Sequence, residues 1–216
     1  MTNIHKNILD DEMQKIYPLL SSFRNDFYLA GGTGLALLLG HRISVDFDLF
    51  SDNPIKKTLL GKVEGVFEKF PRQIILNNSS ELTIMLGNKK ITFFHYTFKK
   101  VLSLETGEPI EILSAKEILT TKAYSIGRRG VYKDYVDLYV GLKENIVSLS
   151  EIIKLAGEKY GTNFFNDRLF LEQLLYLDDI EEVEIIMKDR IRPTKKELLD
   201  FFAEKISEIK IWNERF

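Results

Sequence analysis

The chain has 216 residues with 30 Lys and Arg against 32 Asp and Glu, a formal net charge of -2, and 44% hydrophobic residues. That is the composition of a globular protein with room for one large or two small hydrophobic cores, and it does not mark a whole-surface nucleic-acid binder. The absence of cysteine excludes disulfides, thiol catalysis and cysteine-ligated metal, and three scattered histidines (His5, His41, His95) argue against a histidine zinc site.

Helical spacing of Met13, Ile16, Leu19 and Leu20 predicts a helix over 8–22. The apolar "FYLA" (27–30) stops at Gly31-Gly32 and is followed by "TGLALLLG" (33–40), a short buried helix closed by Gly40. "SVDFDLF" (44–50) alternates as a strand, with Val45, Phe47 and Leu49 on one face and Asp46, Asp48 and Phe50 on the other. A helix over 55–70 precedes a strand meander, "RQIILNN", "SELTIMLG" and "KKITFFHYTFK", broken at Asn77-Asn78 and Gly87-Asn88, and "EPIEIL" (108–113) adds a further strand.

Beyond Leu113 the pattern is helical. Ser114/Glu117, Ser148/Glu151 and Thr194/Glu197 each have capping-box spacing, and helices are predicted over 115–126, 133–144, 149–159 and 195–210, with one or two more within 164–189. The expected class is therefore α+β: a mixed-sheet domain over 1–112 with flanking helices, docked to a helical domain over 113–216 that completes the active site. The N-terminus has no apolar signal-peptide core and no apolar run approaches the ~20 residues that span a bilayer, so a cytoplasmic location without a membrane partner is expected. "LDDIEEVE" (177–184) reads as a solvated helix face, His95 as a strand histidine, and Trp212 and Phe216 as packing or an interaction patch.

The chemistry concentrates around Asp46 and Asp48. An apolar strand normally excludes carboxylates, because a buried unpaired charge is costly. At i and i+2 the two Cα atoms lie roughly 6.5 Å apart on one face, so both carboxylates reach one Mg²⁺, a cation that takes one or two protein carboxylates plus substrate phosphates. Gly31, Gly32 and Gly34 permit close approach of a phosphate, Thr33 adds a hydroxyl, and the following helix start offers free N–H groups. No Gly-Lys-Ser/Thr follows, so this is not a Walker A loop. The competing reading has Arg42 or another cation neutralise both acids for purely structural ends.

"GGTGLALLLGHRISVDFDLFS" resembles the opening motif of the AbiEii-type nucleotidyltransferases, members of the DNA polymerase β-like nucleotidyltransferase superfamily and often toxins of toxin–antitoxin pairs. "TTKAYSIGRRGVYKDYVDLYVGL" (120–142) is similar to that family's later block, in which a Lys on one helix and a basic Arg-Gly turn precede Lys/Arg-Asp-x-x-Asp-Leu-Tyr. The physical reading of this block is a helical hairpin, reversing at Gly127 and Gly130, that sets Lys122 opposite Asp134, with Asp134 and Asp137 on one face and Arg128, Arg129 and Lys133 forming a basic turn. Surface Lys–Asp pairs in an ordinary hairpin are the plainer alternative.

The resemblance implies that Gly31, Gly32 and Thr33 hold nucleotide phosphates, that Asp46 and Asp48 bind Mg²⁺ (or Mn²⁺), and that Lys122 balances triphosphate charge. It further implies that Asp134 or Asp137 supports the acceptor or positions Lys122, with Ser44 and Arg42 behind the acids. The third carboxylate found on a later strand in many relatives has no counterpart in "KKITFFHYTFK", which offers Thr92, His95 and Thr97. The implied activity is transfer of a nucleotide from an NTP to a hydroxyl, on RNA such as a tRNA 3′ end, reached through Arg128, Arg129 and Lys133, with an antitoxin protein as partner. A kinase-like toxin acting on a protein, and a non-catalytic nucleotide- or RNA-binding protein, are the rival readings.

Overall fold

A computed structural model describes residues 3–209, which divide into two compact units between Ser114 and Ala115. Trp212 and Phe216 lie outside the described residues. In the first unit, helix α1 (Asp11–Ile16), strand β1 (Tyr28–Ala30), helix α2 (Gly31–Leu39), strand β2 (Asp46–Ser51) and helix α3 (Leu59–Val66) precede strands β3 (Arg72–Asn77), β4 (Glu81–Leu86) and β5 (Lys89–His95). They form one mixed sheet in the order β1-β2-β5-β4-β3, with β2 and β5 parallel and the other neighbours antiparallel.

The period-2 pattern decides what β2 shows to each side. Phe47 and Leu49 are buried, as are Ile91 and Phe93 on β5 and Leu82, Ile84 and Leu86 on β4. Against that face pack Tyr17, stacked on Phe47 at 6.0 Å, and Phe23, which meets Phe93 edge-on at 4.8 Å and Phe67 at 5.8 Å. Each such fully buried ring contributes about 1.5–3 kcal/mol. The opposite face of β2 therefore carries Asp46, Asp48 and Phe50, all half-buried.

The N-terminal helix expected over 8–22 is broken into a 3₁₀ turn (Lys6–Ile8), α1, and a second 3₁₀ segment (Tyr17–Phe23). Asp10 starts α1 by accepting from the Met13 N–H at 2.9 Å, and Pro18 has no N–H with which to continue the α ladder. The helix expected over 55–70 is confined to α3. Segment 108–113 forms bridges at Ile112 rather than a strand: it runs beside β1, with Leu29 N–H donating to the Glu111 carbonyl and Leu113 N–H to that of Leu29. The outer strand β3 is exposed along its length, including Ile74, Ile75 and Leu76, and a register shift between Ile74 and Leu76 interrupts its pairing.

The second unit contains helices α4 (Ala115–Arg129), α5 (Tyr132–Lys143), α6 (Leu149–Tyr160), α7 (Asp167–Leu174) and α8 (Lys195–Ser207). Ser148 and Asn166 cap α6 and α7, and Thr194 with Glu197 makes a full capping box on α8. Helices α4 and α5 pack closely because Gly141 has no side chain: a Cβ there would overlap Leu119. Between α4 and α6 lies a fully buried ion pair, Lys159 with Glu117. Helix α4 continues through Gly127 to Arg129, so the reversal rests on Gly130-Val131 alone.

The acidic segment 177–184 is not a helix. Asp178, Asp179, Glu181, Glu182 and Glu184 would set like charges three and four residues apart on one helix face, and Val183 and Ile185 add β-branched strain. The segment is instead irregular, anchored by buried Leu177 and Ile185 and by the Arg192 guanidinium, which donates to the Val183 carbonyl at 3.2 Å and to Glu182 at 3.0 Å. Among the described residues no helix is long and apolar enough to cross a membrane.

Candidate active-site residues in the two units

In the first unit the candidate residues sit where α2 begins beside β2. Ala30 pairs with Asp48 across the β1–β2 ladder, which sets the Asp48 side chain against the first residue of α2. Gly31 adopts a left-handed φ of 63°, and a Cβ there would overlap the Asp48 carboxylate. The glycine is thus required both by the turn and by the aspartate. Gly32 follows it in the first turn of α2.

Thr33 is buried, and its hydroxyl contacts both the Ser44 hydroxyl, at 2.7 Å, and the main-chain carbonyl of Asp46. These bonds tie the helix start to the beginning of β2 and fix the strand from which both aspartates project. Ser44 is buried as their partner, and Arg42 is buried with one guanidinium nitrogen donating to the Ile43 carbonyl at 3.2 Å.

Asp46 and Asp48 share one strand face, opposite Lys90 and Thr92 of β5. The Asp46 side chain is 40% exposed, and Lys90 Nζ stands 3.5 Å from its Oδ2. Two carboxylates on one face, one of them within solvent reach, are a donor set suited to a hard divalent cation completed by phosphate oxygens. Among the described residues no group of three or more His, Cys, Asp or Glu side chains is arranged to hold a metal without such a substrate. Beyond Thr92, the same face carries Thr83 of β4, whose hydroxyl donates to Glu81 at 2.6 Å. Lys90 and Glu81 have no local signal in the sequence: only the pairing of β2, β5 and β4 reveals them.

The second unit brings three candidates together. Lys122 Nζ lies 2.6 Å from Asp134 Oδ1 and 3.1 Å from Asp137 Oδ2, with side-chain exposures of 13%, 9% and 0% respectively. Asp134 and Asp137 reach the same lysine because i and i+3 share a helix face. Nearby on α5, burial pushes the Tyr135 hydroxyl up to about 12, with Asp179 and Asp134 adding to the shift. The three basic residues of the hairpin have different surroundings. The Arg128 guanidinium lies 4.4 Å over the Tyr124 ring and donates to the Phe164 carbonyl at 3.2 Å. Arg129, seven residues after Lys122, follows the Lys122 face of α4. Lys133 sits in the first turn of α5.

A family model described as "Nucleotidyl transferase AbiEii toxin, Type IV TA system" matches residues 19–100. A protein of Aquifex aeolicus (strain VF5), bearing only the name of an uncharacterized protein, is 33% identical over 187 residues, covering 85% of this chain and 88% of its own. Among solved structures, the nucleotidyltransferase toxin MenT4 of Mycobacterium tuberculosis H37Rv is similar in fold, with a TM-score of 0.61 at 14% identity over 93% of this chain and 83% of its own. The antibiotic-resistance factor ANT(2'')-Ia is similar over 67% of this chain and 89% of its own, with a TM-score of 0.50 at 14% identity.

Proposed function

Because the chain belongs to the AbiEii nucleotidyltransferase toxin family, and is thus a nucleotidyltransferase, we propose that Asp46 and Asp48 are its catalytic carboxylates and that the acceptor is RNA. The observation that carries this reading is the Asp46–Asp48 pair on one face of β2, set against the glycine start of α2. An acceptor hydroxyl attacks the α-phosphorus of an NTP and loses its proton. The new P–O bond forms as the bond from the α-phosphorus to the α,β-bridging oxygen breaks, and pyrophosphate leaves.

Asp46 and Asp48 would hold Mg²⁺ or Mn²⁺, which when bound supplies Lewis-acid neutralisation of developing phosphate charge. The protein's own contribution is preorganisation. Thr33 and Ser44 fix the strand by the bonds given above, Gly31 leaves room for Asp48, and Gly32 opens the helix whose first N–H groups suit phosphate oxygens. Lys90 adds a cation beside Asp46. Lys122 balances triphosphate charge, and Asp134 and Asp137 hold its ammonium in place, a role supported by the 2.6 and 3.1 Å contacts. Arg129 and Lys133 offer phosphate contacts to the acceptor strand, a tRNA 3′ end being the acceptor we favour. The family's description as part of a toxin–antitoxin system supports an antitoxin protein as partner.

Incubation of the protein with Mg²⁺, a total RNA pool and each NTP, labelled at either the α- or the γ-phosphate, tests this. The α label should enter RNA and the γ label should leave as pyrophosphate, with sequencing of RNA 3′ ends identifying the acceptor. Gamma label in a protein product would overturn the reading in favour of a kinase. Alpha label on a protein or small molecule alone would remove RNA as the acceptor.

A further inference from the structure

A recess lies wholly within the helical unit and is used by none of the steps above. It has a volume of about 360 Å³ and is lined by Tyr124, Gly127 and Arg128 of α4 together with the segment 162–166 and Leu169. One wall is a built stack. Tyr160 lies on Tyr124 at 4.1 Å with planes 17° apart, and the Arg128 guanidinium lies 4.4 Å over the Tyr124 ring. The guanidinium is held in that orientation by its bond to the Phe164 carbonyl. Phe164 is 54% exposed at the rim, and Asn163 and Asn166 line the same recess, the Asn166 amide oxygen accepting from the Leu169 N–H at the start of α7.

Gly127 is the second observation. It lies inside an α-helix, where glycine is less stable than alanine, yet a Cβ at this position would meet no heavy atom within 4 Å. The backbone and its neighbours therefore do not require glycine. Its effect is to leave the recess open.

We propose that this recess binds one unpaired nucleobase of the acceptor strand, stacked against the planar groups of Arg128 and Phe164, with Asn163 beside its polar edge. Single-stranded RNA is recognised by such splayed bases on aromatic and guanidinium planes beside phosphate-binding cations, and the volume is in the range of small-ligand pockets. Arg128 is in this account a base-stacking residue, distinct from the phosphate contacts of Arg129 and Lys133. The inference rests on the reading of RNA as acceptor and adds where and how that RNA is held.

The test uses the full chain and a short single-stranded RNA carrying 2-aminopurine at successive positions near its 3′ end. One position should be quenched on binding to the wild type. Gly127→Leu, which fills the recess with a better helix former, should raise Tm, abolish that quenching and weaken RNA binding about tenfold or more. The Kd for Mg²⁺–NTP should stay within about twofold in the same variant. Phe164→Ala and Arg128→Lys should reduce quenching in the same way, the lysine keeping the charge but losing the plane. Undiminished quenching and RNA transfer in Gly127→Leu would overturn the pocket and leave the RNA reading intact. Quenching by a wild type that transfers nothing to RNA would overturn that reading and leave the pocket. Loss of NTP affinity in Gly127→Leu with RNA affinity unchanged would assign the recess to the nucleotide and overturn the proposal.

Discussion

Each unit of this molecule carries a pair of aspartates on one face of one element, and the two pairs live in opposite surroundings. Asp46 and Asp48 are half-buried on a strand, with Lys90 standing off at 3.5 Å. Asp134 and Asp137 are buried on a helix and both touch the one ammonium of Lys122. In the proposed mechanism the first pair holds a divalent cation and phosphate, and the second orients a lysine. A sequence motif of two acids thus acquires its role from spacing and burial together.

The largest expected effect comes from the strand pair. Asp48→Asn keeps the shape beside Gly31 and removes a charge, so transfer should fall by about 10³-fold or more with little change in Tm, as measured by α-label incorporation and thermal unfolding. Near-wild-type turnover would erase the distinction between the pairs. On the helix pair the order reverses. Lys122→Met leaves two buried carboxylates without their lysine and should cost about 3–5 kcal/mol of stability, readable by urea unfolding. Adding Asp134→Asn and Asp137→Asn to Lys122→Met should restore most of that stability without restoring transfer. A triple variant as unstable as the single would show that charge is not what the cluster balances.

Gly31→Ala sharpens the comparison at the turn. It combines a left-handed φ with overlap on the Asp48 carboxylate, so it should cost about 1–2 kcal/mol and reduce transfer by about 10²-fold, seen as a lower melting temperature and a lower kcat. The smallest effect lies beneath the strand. Tyr17 stacks on Phe47, and its hydroxyl is buried with no hydrogen-bond partner among the described residues. Burial, with Glu108 adding to it, pushes that hydroxyl up to about 12. Because the folded value exceeds the unfolded one, its stabilisation is complete below about pH 10 and is lost as pH rises towards 12. Tyr17→Phe should therefore be neutral or stabilising by up to about 1 kcal/mol at pH 7 and should flatten the alkaline limb of the stability profile. A loss above about 2 kcal/mol would mean the hydroxyl is satisfied after all.

What could be read directly from the sequence was local. Period-2 alternation in "SVDFDLF" put Asp46 and Asp48 on one face, and the Thr194/Glu197 spacing marked the start of α8. The Lys122–Asp134 approach followed from a short reversal between two helices. The features that escaped depend on partners distant in the chain. Lys90 reaches Asp46 through a parallel pairing across forty-odd residues, and no spacing rule links them. The bonds of the Thr33 hydroxyl to Ser44 and to the Asp46 backbone likewise depend on the packing of α2 on β2. Glycine at 127 read as a break because its helix cost is a local signal, whereas the recess beside it is a tertiary one. The helix expected across 177–184 failed because like charges and β-branching outweighed its apolar spacing.

The central claim is that the strand pair, and not the helix pair, takes the divalent cation. Titration of Mn²⁺ against the protein at saturating NTP, followed by electron paramagnetic resonance, tests this directly in the wild type, in Asp46→Asn/Asp48→Asn and in Asp134→Asn. Protein-bound, nucleotide-dependent Mn²⁺ should be present in the wild type and in Asp134→Asn and lost in the strand double variant. Retention of that Mn²⁺ in the strand variant, with its loss in Asp134→Asn, would contradict the account.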